Sequence, residues 1–218
     1  MTGIPADVAA ELAALANVSR ETLERLELLV ARLLEWQRGL NLIGASTIPY
    51  LWRRHVLDSA QLLPLIEPRS TRLVDLGSGA GFPGLVLAIL GARGVELIEA
   101  DQRKCAFLRD AGRATDAGAT VVHVRLDGRG LGRQADTITA RALARLPRLL
   151  ALAHPFVHAG TRCLFLKGAT LATELTEAHK IWKMRFESVP SRTDPGGRVV
   201  VIEGLSHGSA TRQSGRTT

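Results

Sequence analysis

Short apolar runs alternate with longer amphipathic segments from residue 71 onward. The short runs have the length and flanking turn residues of buried strands, whereas the longer segments carry apolar residues at helical spacing. The runs that predict strands are Arg72–Leu76, Val95–Ala100, Thr120–Val124, Asp136–Ala140, Thr161–Lys167 and Arg198–Glu203. The segments that predict helices are Phe82–Gly91, Arg103–Thr115, Leu146–Val157 and Ala169–Met184. This alternation predicts an α/β domain with a doubly wound, mostly parallel sheet.

A turn sequence before the last apolar run affects the expected direction of the final strand. Residues 194–197 read Asp-Pro-Gly-Gly, a set typical of a tight turn between two strands. The last strand is therefore expected to belong to a hairpin and to run antiparallel. From Ser206 the chain is rich in Ser, Thr, Gly and Arg without an apolar period, which predicts a disordered tail over residues 206–218.

Residues 1–70 predict a helical extension packed on a core domain that spans residues 71–205. The predicted helices are Pro5–Ala16, a second one capped by Ser19 and ending near Gly39, and a third one capped by Thr47 and ending before Pro68. On the third helix, Arg54 and Asp58 are one turn apart and would share a face. Either a solvated surface with a local ion pair or a cluster facing a site accounts for these charges.

The segment Arg72–Gly84 reads R-L-V-D-L-G-S-G-A-G-F-P-G and predicts strand, glycine loop and helix. Pro83 suits the first turn of a helix, and the glycines let a ligand approach the main chain closely. A pyrophosphate would be repelled by Asp75, and the third glycine comes one residue earlier than in a dinucleotide-binding loop. The sulfonium and ammonium groups of S-adenosylmethionine suit this carboxylate. The segment therefore favours S-adenosylmethionine, with a ligand-free tight turn as the alternative.

Polar residues follow the predicted strands at the edge where open α/β sheets bind ligands. Glu99 ends the second strand, where a carboxylate can accept hydrogen bonds from both ribose hydroxyls of an adenosine. Leu126 and Asp127 end the third strand, where this topology places an adenine. Arg141 follows the fourth strand and can contact a phosphate, a cofactor carboxylate or a base edge, unless it forms a structural ion pair. Lys167 ends the fifth strand and has the same interpretations.

Composition adds a basic charge and excludes several classes of function. The 218 residues include 28 Lys and Arg against 21 Asp and Glu, a net charge of +7 that favours a nucleic-acid partner. No apolar run is long enough to span a membrane, and the N-terminus lacks the pattern of a secretory signal, so a cytoplasmic protein is expected. The histidines and cysteines have no metal-ligand spacing, so no metal site is expected.

Three methyl-transfer chemistries need residues that the sequence lacks. Exocyclic amines are commonly methylated with an acidic or amide residue before Pro-Pro-aromatic, and no Pro-Pro occurs here. Attack through pyrimidine carbon 5 needs a cysteine that usually follows Pro or Thr, whereas Cys105 and Cys163 follow Lys and Arg. Ribose 2′-hydroxyl transfer often uses an Asp after the fourth strand, where Arg141 stands. Guanine N7 remains, because its free lone pair needs alignment with the methyl–sulfur bond and no general base.

Short motifs follow one another in order over Trp36–Glu203. They are Asn41-Leu42, Arg54-His55 with Asp58-Ser59, Asp75–Gly84, Arg103-Lys104 with Phe107-Leu108, Arg141-Ala142 with Ala144 and Leu146, and Leu166-Lys167-Gly168. By these motifs the chain resembles the bacterial small-subunit ribosomal RNA methyltransferase G family, also called glucose-inhibited division protein B. It departs from that family at Ile43, where Thr is usual, and in a short stretch, Arg125–Gln134.

The resemblance implies a class I S-adenosylmethionine-dependent methyltransferase fold, which is Rossmann-like with a mostly parallel seven-stranded sheet and an N-terminal helical extension. It implies N7 methylation of one guanine in the decoding region of 16S ribosomal RNA, where streptomycin acts. The expected partner is this RNA within the small subunit or an assembly intermediate, and the expected state is a monomer.

The resemblance to the family also implies roles for individual residues, in addition to the roles inferred from the glycine loop and the strand ends. The expected cofactor contacts are Asp75, Gly77, Gly79, Gly81, Phe82, Glu99, Leu126, Asp127 and Arg141. The candidates for RNA contacts are Arg54, Lys104 and Lys167, and the candidates for catalytic residues are Arg141, Lys167 and His55.

Two other functions stay open from the sequence. One is an S-adenosylmethionine-dependent methyltransferase that acts on a small molecule, in which case the basic charge is incidental. The other is a non-catalytic RNA-binding or ribosome-assembly factor with the same fold, against which the intact loop in Asp75–Gly84 argues. A nicotinamide-dependent enzyme ranks last because of Asp75 and the glycine spacing.

Overall fold

The computed structural model describes residues 3–15, 18–129 and 131–208, which form one seven-stranded sheet with helices on both faces. The strands are β1 (Leu73–Leu76), β2 (Val95–Glu99), β3 (Thr120–His123), β4 (Thr137–Arg141), β5 (Arg162–Lys167), β6 (Trp182–Pro190) and β7 (Arg198–His207). Their order across the sheet is β3-β2-β1-β4-β5-β7-β6. The first five strands pair in parallel, whereas β7 runs antiparallel to β5 and β6. The mostly parallel sheet and the antiparallel final hairpin are as the sequence predicts.

The helices form one layer on each face of the sheet. Before β1 lie α1 (Ala6–Leu15), α2 (Arg20–Gln37), a 3-10 helix (Ala45–Tyr50), a π-helix (Trp52–Leu57), α3 (Asp58–Ala60) and a 3-10 helix (Leu63–Leu65). After β1 lie α4 (Gly84–Ile89), α5 (Gln102–Ala114), α6 (Leu146–Ala153), a 3-10 helix (His154–Phe156) and α7 (Leu171–Ala178). One apolar layer joins α1, α2, α4 and α5 to the sheet, and the other joins α6 and α7 to the opposite face.

Strand β1 is buried along its whole length because both layers cover it. Successive side chains of a strand point to opposite faces, so Leu73 packs into the α2–α4–α5 layer and Val74 into the α6–α7 layer. Asp75 shares the face of Leu73 and lies beneath the start of α4. This alternation places a carboxylate directly under the glycine loop.

The N-terminal helices pack on the sheet domain through α2. Leu26, Leu29 and Leu33 are fully buried in the same apolar layer as Leu85 of α4. As predicted, Ser19 caps α2, and its hydroxyl accepts a hydrogen bond of 3.1 Å from the amide of Thr22. The boundary between the extension and the core domain near residue 70 stays a prediction.

The single third helix predicted before residue 68 is wrong. Gly44 rather than Thr47 precedes the 3-10 helix, and Thr47 lies inside it. Pro49 lies inside this 3-10 helix, and it disfavours α geometry at Ile48, the residue before it. The chain instead passes through 3-10, π and α turns in succession.

The helix predicted over Ala169–Met184 is also wrong in its second half. Helix α7 ends at Ala178, and residues from Trp182 onward form the edge strand β6. Pairing with β7 along the whole strand determines this conformation, and most of its side chains are exposed, so it lacks the apolar run of a central strand. Strand β7 continues to His207, into the segment predicted to be disordered, and residues 209–218 of that segment lie outside the described residues.

Replacing Gly84 with alanine is expected to destabilise the fold. A Cβ there would lie 2.5 Å from Cδ2 of Leu97 and 2.7 Å from the carboxylate of Asp75. Overpacking of this kind costs about 1–3 kcal/mol, which lowers the Tm of a chain of this size by roughly 2–4 °C per kcal/mol. Thermal unfolding followed by circular dichroism measures the change. Gly39→Ala is the control, because a Cβ at Gly39 has no atom within 4 Å, and equal Tm values for both variants would contradict the prediction.

Candidate active site

The glycine loop between β1 and α4 adopts left-handed backbone angles at three residues. Gly77, Gly79 and Gly81 have φ values of +68°, +55° and +85°. A Cβ at Gly77 would also lie 2.6 Å from Cδ1 of Leu143. Glycine is needed here because other residues rarely adopt these angles. The loop therefore exposes main chain, rather than side chains, at the carboxyl end of β1.

Two cavities meet at the carboxyl edge of the sheet. The first cavity has a volume of about 320 Å³ and is lined by Gly77, Gly79, Ile98, Glu99, Ala100, Lys104, Val124, Arg125, Leu126, Arg141, Ala142, Leu143 and Leu152. The second cavity has a volume of about 300 Å³ and is lined by Asp58, Arg141, Ala142, Leu166, Lys167, Gly168, Thr170, Glu174, Ser191, Asp194, Gly197 and Arg198. Arg141 and Ala142 line both, so the two cavities share a wall at the end of β4.

Glu99 joins the glycine loop to the end of β2. Its Oε2 accepts a hydrogen bond of 2.8 Å from the amide of Gly79, and its Oε1 accepts one of 2.8 Å from each of the amides of Ala100 and Asp101. The side chain is buried but lines the first cavity. The carboxylate is therefore fixed in orientation at the place where an adenosine ribose was predicted.

Asp75 lies beneath the loop and outside the lining of both cavities. Its carboxylate accepts hydrogen bonds from the hydroxyl of Thr139 at 2.8 Å and from the amide of Gly84 at 3.2 Å. Complete burial raises the pKa of Asp75 to about 6, although these hydrogen bonds favour the charged form. The geometry gives this carboxylate a role in holding the start of α4, and its direct contact with a cofactor stays a prediction.

Arg141 is held in place by the π-helix and the residues next to it. Its Nη1 donates a hydrogen bond of 2.9 Å to the carbonyl of Arg54 and lies 3.5 Å from Oδ2 of Asp58. Its Nη2 donates a hydrogen bond of 2.8 Å to Nδ1 of His55. The guanidinium carbon also lies 5.2 Å from the centre of the Phe82 ring. These contacts fix the guanidinium in the wall between the two cavities.

The hydrogen bonds of His55 define its tautomer. An arginine can only donate, so Nδ1 of His55 must be the acceptor and carries no proton. The hydroxyl of Thr47 donates to the carbonyl of Gly44 at 2.7 Å, so it accepts the Nε2 proton of His55 at 2.8 Å. Burial, followed by the charges of Arg141 and Arg54, lowers the pKa of His55 to about 3. His55 is therefore a neutral positioning residue for Arg141 rather than a free base.

The buried neutral state of His55 predicts a loss of stability in acid. The unfolded chain takes up a proton near pH 6.5, whereas the folded chain does so near pH 3. The unfolding free energy therefore falls as the pH drops through this window, by about 1.4 kcal/mol per pH unit. Urea denaturation of the wild type and of His55→Asn, from about pH 7 to about pH 4, should show this slope in the difference between their two unfolding free energies.

Asp75 contributes a slope of opposite sign to both proteins in that experiment. Its folded pKa is raised, so its contribution to stability is present at low pH and is lost as the pH rises from 3.8 to about 6. The difference between wild type and His55→Asn therefore isolates the histidine. Parallel curves for the two proteins would show that His55 is not neutral and buried.

Lys167 is paired inside the second cavity. Its ammonium lies 2.6 Å from Oε2 of Glu174 and donates a hydrogen bond of 3.1 Å to the carbonyl of Ala144. Burial opposes ionisation of Glu174, but hydrogen bonds from Lys167, Thr170 and the amide of Leu146 outweigh it and leave the pKa of Glu174 below its ordinary value. Both side chains are almost fully buried, so this ion pair stabilises the wall of the cavity.

Comparisons with known proteins connect this geometry to one family. The family model described as rRNA small subunit methyltransferase G matches residues 22–195. The chain belongs to this family. Ribosomal RNA small subunit methyltransferase G of Paramagnetospirillum magneticum is 53% identical over 92% of this chain and 97% of its own length. The protein of the same name from Rhodospirillum centenum is 52% identical over 93% of each chain.

A solved structure confirms the class I methyltransferase fold. The O-methyltransferase from Bacillus cereus, in complex with SAH, matches with a TM-score of 0.55 at 11% identity, over 88% of this chain and 99% of its own length. The family resemblance and the S-adenosylmethionine cofactor inferred from the sequence are confirmed. The first cavity fits this cofactor, because it joins exposed glycine main chain, a fixed carboxylate at Glu99 and apolar walls at Leu126 and Leu143.

The first cavity of this methyltransferase G chain contains only part of the predicted cofactor set. Gly77, Gly79, Glu99, Leu126 and Arg141 line it. The other predicted contacts lie outside its lining, and they are Asp75, Gly81, Phe82 and Asp127. The contacts of all these residues with the cofactor stay predictions.

The residues outside the cavity lining have visible packing partners. Gly81 packs against Leu85, since a Cβ there would lie 2.9 Å from that side chain. Phe82 stacks on the His55 ring with centroids 5.1 Å apart. Asp127 is exposed and accepts a hydrogen bond from the amide of Arg129.

The predicted RNA-binding candidates occupy three different environments. Lys104 lines the first cavity. Arg54 is exposed and forms an ion pair of 3.2 Å with Asp194, whereas Lys167 is buried with Glu174. The three side chains therefore lie in different surroundings, and their RNA contacts stay predictions.

Sequence reasoning missed much of the second cavity. Asp58 was noted only as one member of a charged cluster, and Glu174 and Asp194 were not identified. The Asp-Pro-Gly-Gly turn was interpreted only as a hairpin signal, although Asp194 and Ser191 beside it line the cavity. Within residues 3–15, 18–129 and 131–208 no cluster of His, Cys, Asp and Glu could hold a metal ion. No helix in the same ranges is long and apolar enough to cross a membrane.

Proposed function

We propose that this chain transfers a methyl group from S-adenosylmethionine to N7 of one guanine in the decoding region of 16S ribosomal RNA. The observation that carries the proposal is the wall shared by the two cavities at Arg141 and Ala142. A methyl donor in the first cavity and a base in the second would face each other across the end of β4. Membership of the methyltransferase G family supports the substrate.

The side chains at the junction suit an acceptor that needs no general base. When bound, the cofactor would supply an electrophilic methyl group, whose bond to sulfur would break, with its electron pair going to sulfur, as the bond to N7 formed. His55 directs its lone pair to Arg141, and Lys167 is held by Glu174. Neither group is available to take a proton, and attack by the N7 lone pair releases none. The protein is therefore expected to act by aligning the N7 lone pair with the methyl–sulfur bond.

The lining of the second cavity carries charges of both signs. Its carboxylates, those of Asp58, Glu174 and Asp194, pair with Arg141, Lys167 and Arg54. A paired guanine in an RNA helix has its N7 in a deep, narrow groove, so the target is expected in a loop or as a flipped base.

The proposed setting is the small ribosomal subunit or an assembly intermediate in the cytoplasm, with the enzyme as a monomer. Among the described residues, the large exposed apolar side chains are Leu28, Tyr50, Ile181 and Phe186, which come from separate elements. Single exposed apolar residues are usual on monomers and do not require a partner subunit.

Methyl transfer to ribosomal particles tests the proposed function. Purified protein is incubated with methyl-labelled S-adenosylmethionine and small subunits from a strain without its own copy of this enzyme. Borohydride–aniline scission of the RNA then detects N7-methylguanine. A single cleavage in the decoding region of 16S RNA is expected. Absence of label in RNA, with cofactor binding intact in calorimetry, would overturn the proposal and favour a small-molecule acceptor.

A further inference from the structure

A third cavity of about 270 Å³ extends the second one between α7 and the β6–β7 hairpin. Gly168 and Arg198 line both the second and the third cavity, so the two cavities adjoin at these residues and together are called the groove. Arg141 lines the second cavity but not the third. A ligand longer than one base that occupies the second cavity can therefore extend over this boundary toward the third.

Arg198 provides a fixed positive charge at the boundary between these two cavities. Its Nε donates a hydrogen bond of 2.6 Å to the hydroxyl of Ser188, and its Nη2 donates one of 2.8 Å to the carbonyl of the same residue. The guanidinium is thus oriented by neutral groups. Arginine with free donors in a fixed orientation is well suited to a phosphate.

The charge of Arg198 differs from those of its neighbours in being uncompensated. In the described part of the chain, no carboxylate lies within ion-pair distance of Arg198, whereas the two other cations that line the second cavity, Arg141 and Lys167, pair with Asp58 and Glu174. The guanidinium of Arg198 can therefore pair with an anionic group of a ligand.

The wall of the third cavity on the α7 side is apolar. Leu171, Ala172 and Leu175 of α7 line it. Unpaired bases in single-stranded RNA bury their flat faces on apolar or aromatic protein surfaces, while their phosphates remain near cations. The apolar wall can therefore contact the base of a nucleotide, while the fixed arginine beside it contacts the phosphate.

We infer that the third cavity binds the nucleotide adjacent to the target guanine, with Arg198 on the phosphate that joins the two. This inference rests on the proposed function, because it takes the target base to occupy the second cavity. A flipped base leaves its neighbour without a stacking partner on one side. The apolar wall replaces this stacking partner. The RNA backbone would cross between the two cavities at Gly168 and Arg198, which line both.

Two variants, each with its own matched control, test the inference on undermethylated small subunits. Arg198→Gln should raise the KM for particles about tenfold and reduce the slope of log KM against log salt concentration by roughly 0.7–1, because one phosphate contact is lost. Arg198→Lys keeps the charge and should keep the salt slope. Ala172→Asp places a carboxylate in the apolar wall and should raise the KM about tenfold. Thr173→Asp, on an exposed position of the same helix outside the lining, should leave the KM unchanged.

The outcomes separate this inference from the proposed function. The cofactor Kd from calorimetry should be the same in all four variants, and circular dichroism checks the fold. A wild-type enzyme that labels no RNA would overturn the proposed function itself. An active wild type with an unchanged KM and salt slope in Arg198→Gln would overturn only the third-cavity inference. A raised KM with an unchanged salt slope in that variant would also overturn it, because the lost contact would not be to a phosphate.

Discussion

Arg141→Ala is expected to reduce methyl transfer by at least about 100-fold while the protein stays folded. The guanidinium lies in the wall common to both cavities and is fixed by the carbonyl of Arg54, by His55 and by Asp58. Its removal leaves the donor and the acceptor without the group that positions them on either side of the junction. Single-turnover transfer to undermethylated particles measures the loss, and circular dichroism measures the fold.

Arg141→Lys is the conservative comparison for this prediction. A lysine keeps the charge but cannot make the three separately directed contacts of the guanidinium, so it should recover little of the activity. Asp58 retains hydrogen bonds of 2.8 Å from Gln61 and 2.6 Å from Thr193, so it is not left unpartnered when Arg141 is removed. Wild-type turnover in Arg141→Ala would exclude this residue from the site.

Glu99→Ala is expected to weaken cofactor binding by about 100-fold or more. Three backbone amides, those of Gly79, Ala100 and Asp101, lose their acceptor, and hydrogen bonds to a charged group contribute about 1.5–3 kcal/mol each. Without this carboxylate the glycine loop is no longer tied to the end of β2. Isothermal titration calorimetry with S-adenosylmethionine measures the affinity.

Two further variants make the Glu99 result specific. Glu99→Gln keeps the shape and one acceptor oxygen, so it should lie between wild type and alanine. Glu24→Ala removes an exposed carboxylate of α2 that pairs with Arg20 in an exposed contact, and the variant should bind the cofactor as the wild type does. If Glu99→Ala binds the cofactor normally, the carboxylate is not part of the binding site.

The parts of the fold that sequence reasoning predicts well are those with a strong local signal. Strand β1 is a short apolar run followed by glycines whose positive φ angles need that residue type, so both strand and loop are visible in the sequence. Edge strand β6 has no such signal, because only one of its sides pairs in the sheet and most of its side chains face solvent. Its conformation depends on β7, which follows in the chain.

The site shows the same difference between local and distant determinants. The sequence predicts Glu99 and Arg141 at the sheet edge because each stands at the carboxyl end of a predicted strand, and the structure has them as the last residues of β2 and β4. The contacts around the site join residues that are distant in the sequence. The His55–Arg141 hydrogen bond joins residues 86 positions apart, and the Arg54–Asp194 pair joins residues 140 positions apart. No spacing rule within one sequence predicts such contacts. Lys167 is a candidate for RNA contact from its place at the end of the fifth strand and from the family resemblance. Its pairing with Glu174 is not visible in the sequence, because it depends on how α7 folds back on β5.

The second cavity depends on both ends of the chain. Thr193 in the β6–β7 turn donates a hydrogen bond to Asp58, 135 residues earlier, and Gln61 accepts one from the amide of Arg192. Protein chains are synthesised from the N-terminus and begin to fold in that order. A chain that is still being translated can therefore form the glycine loop long before the second cavity is complete. If that cavity holds the target base, as proposed above, methyl transfer must wait for the final hairpin.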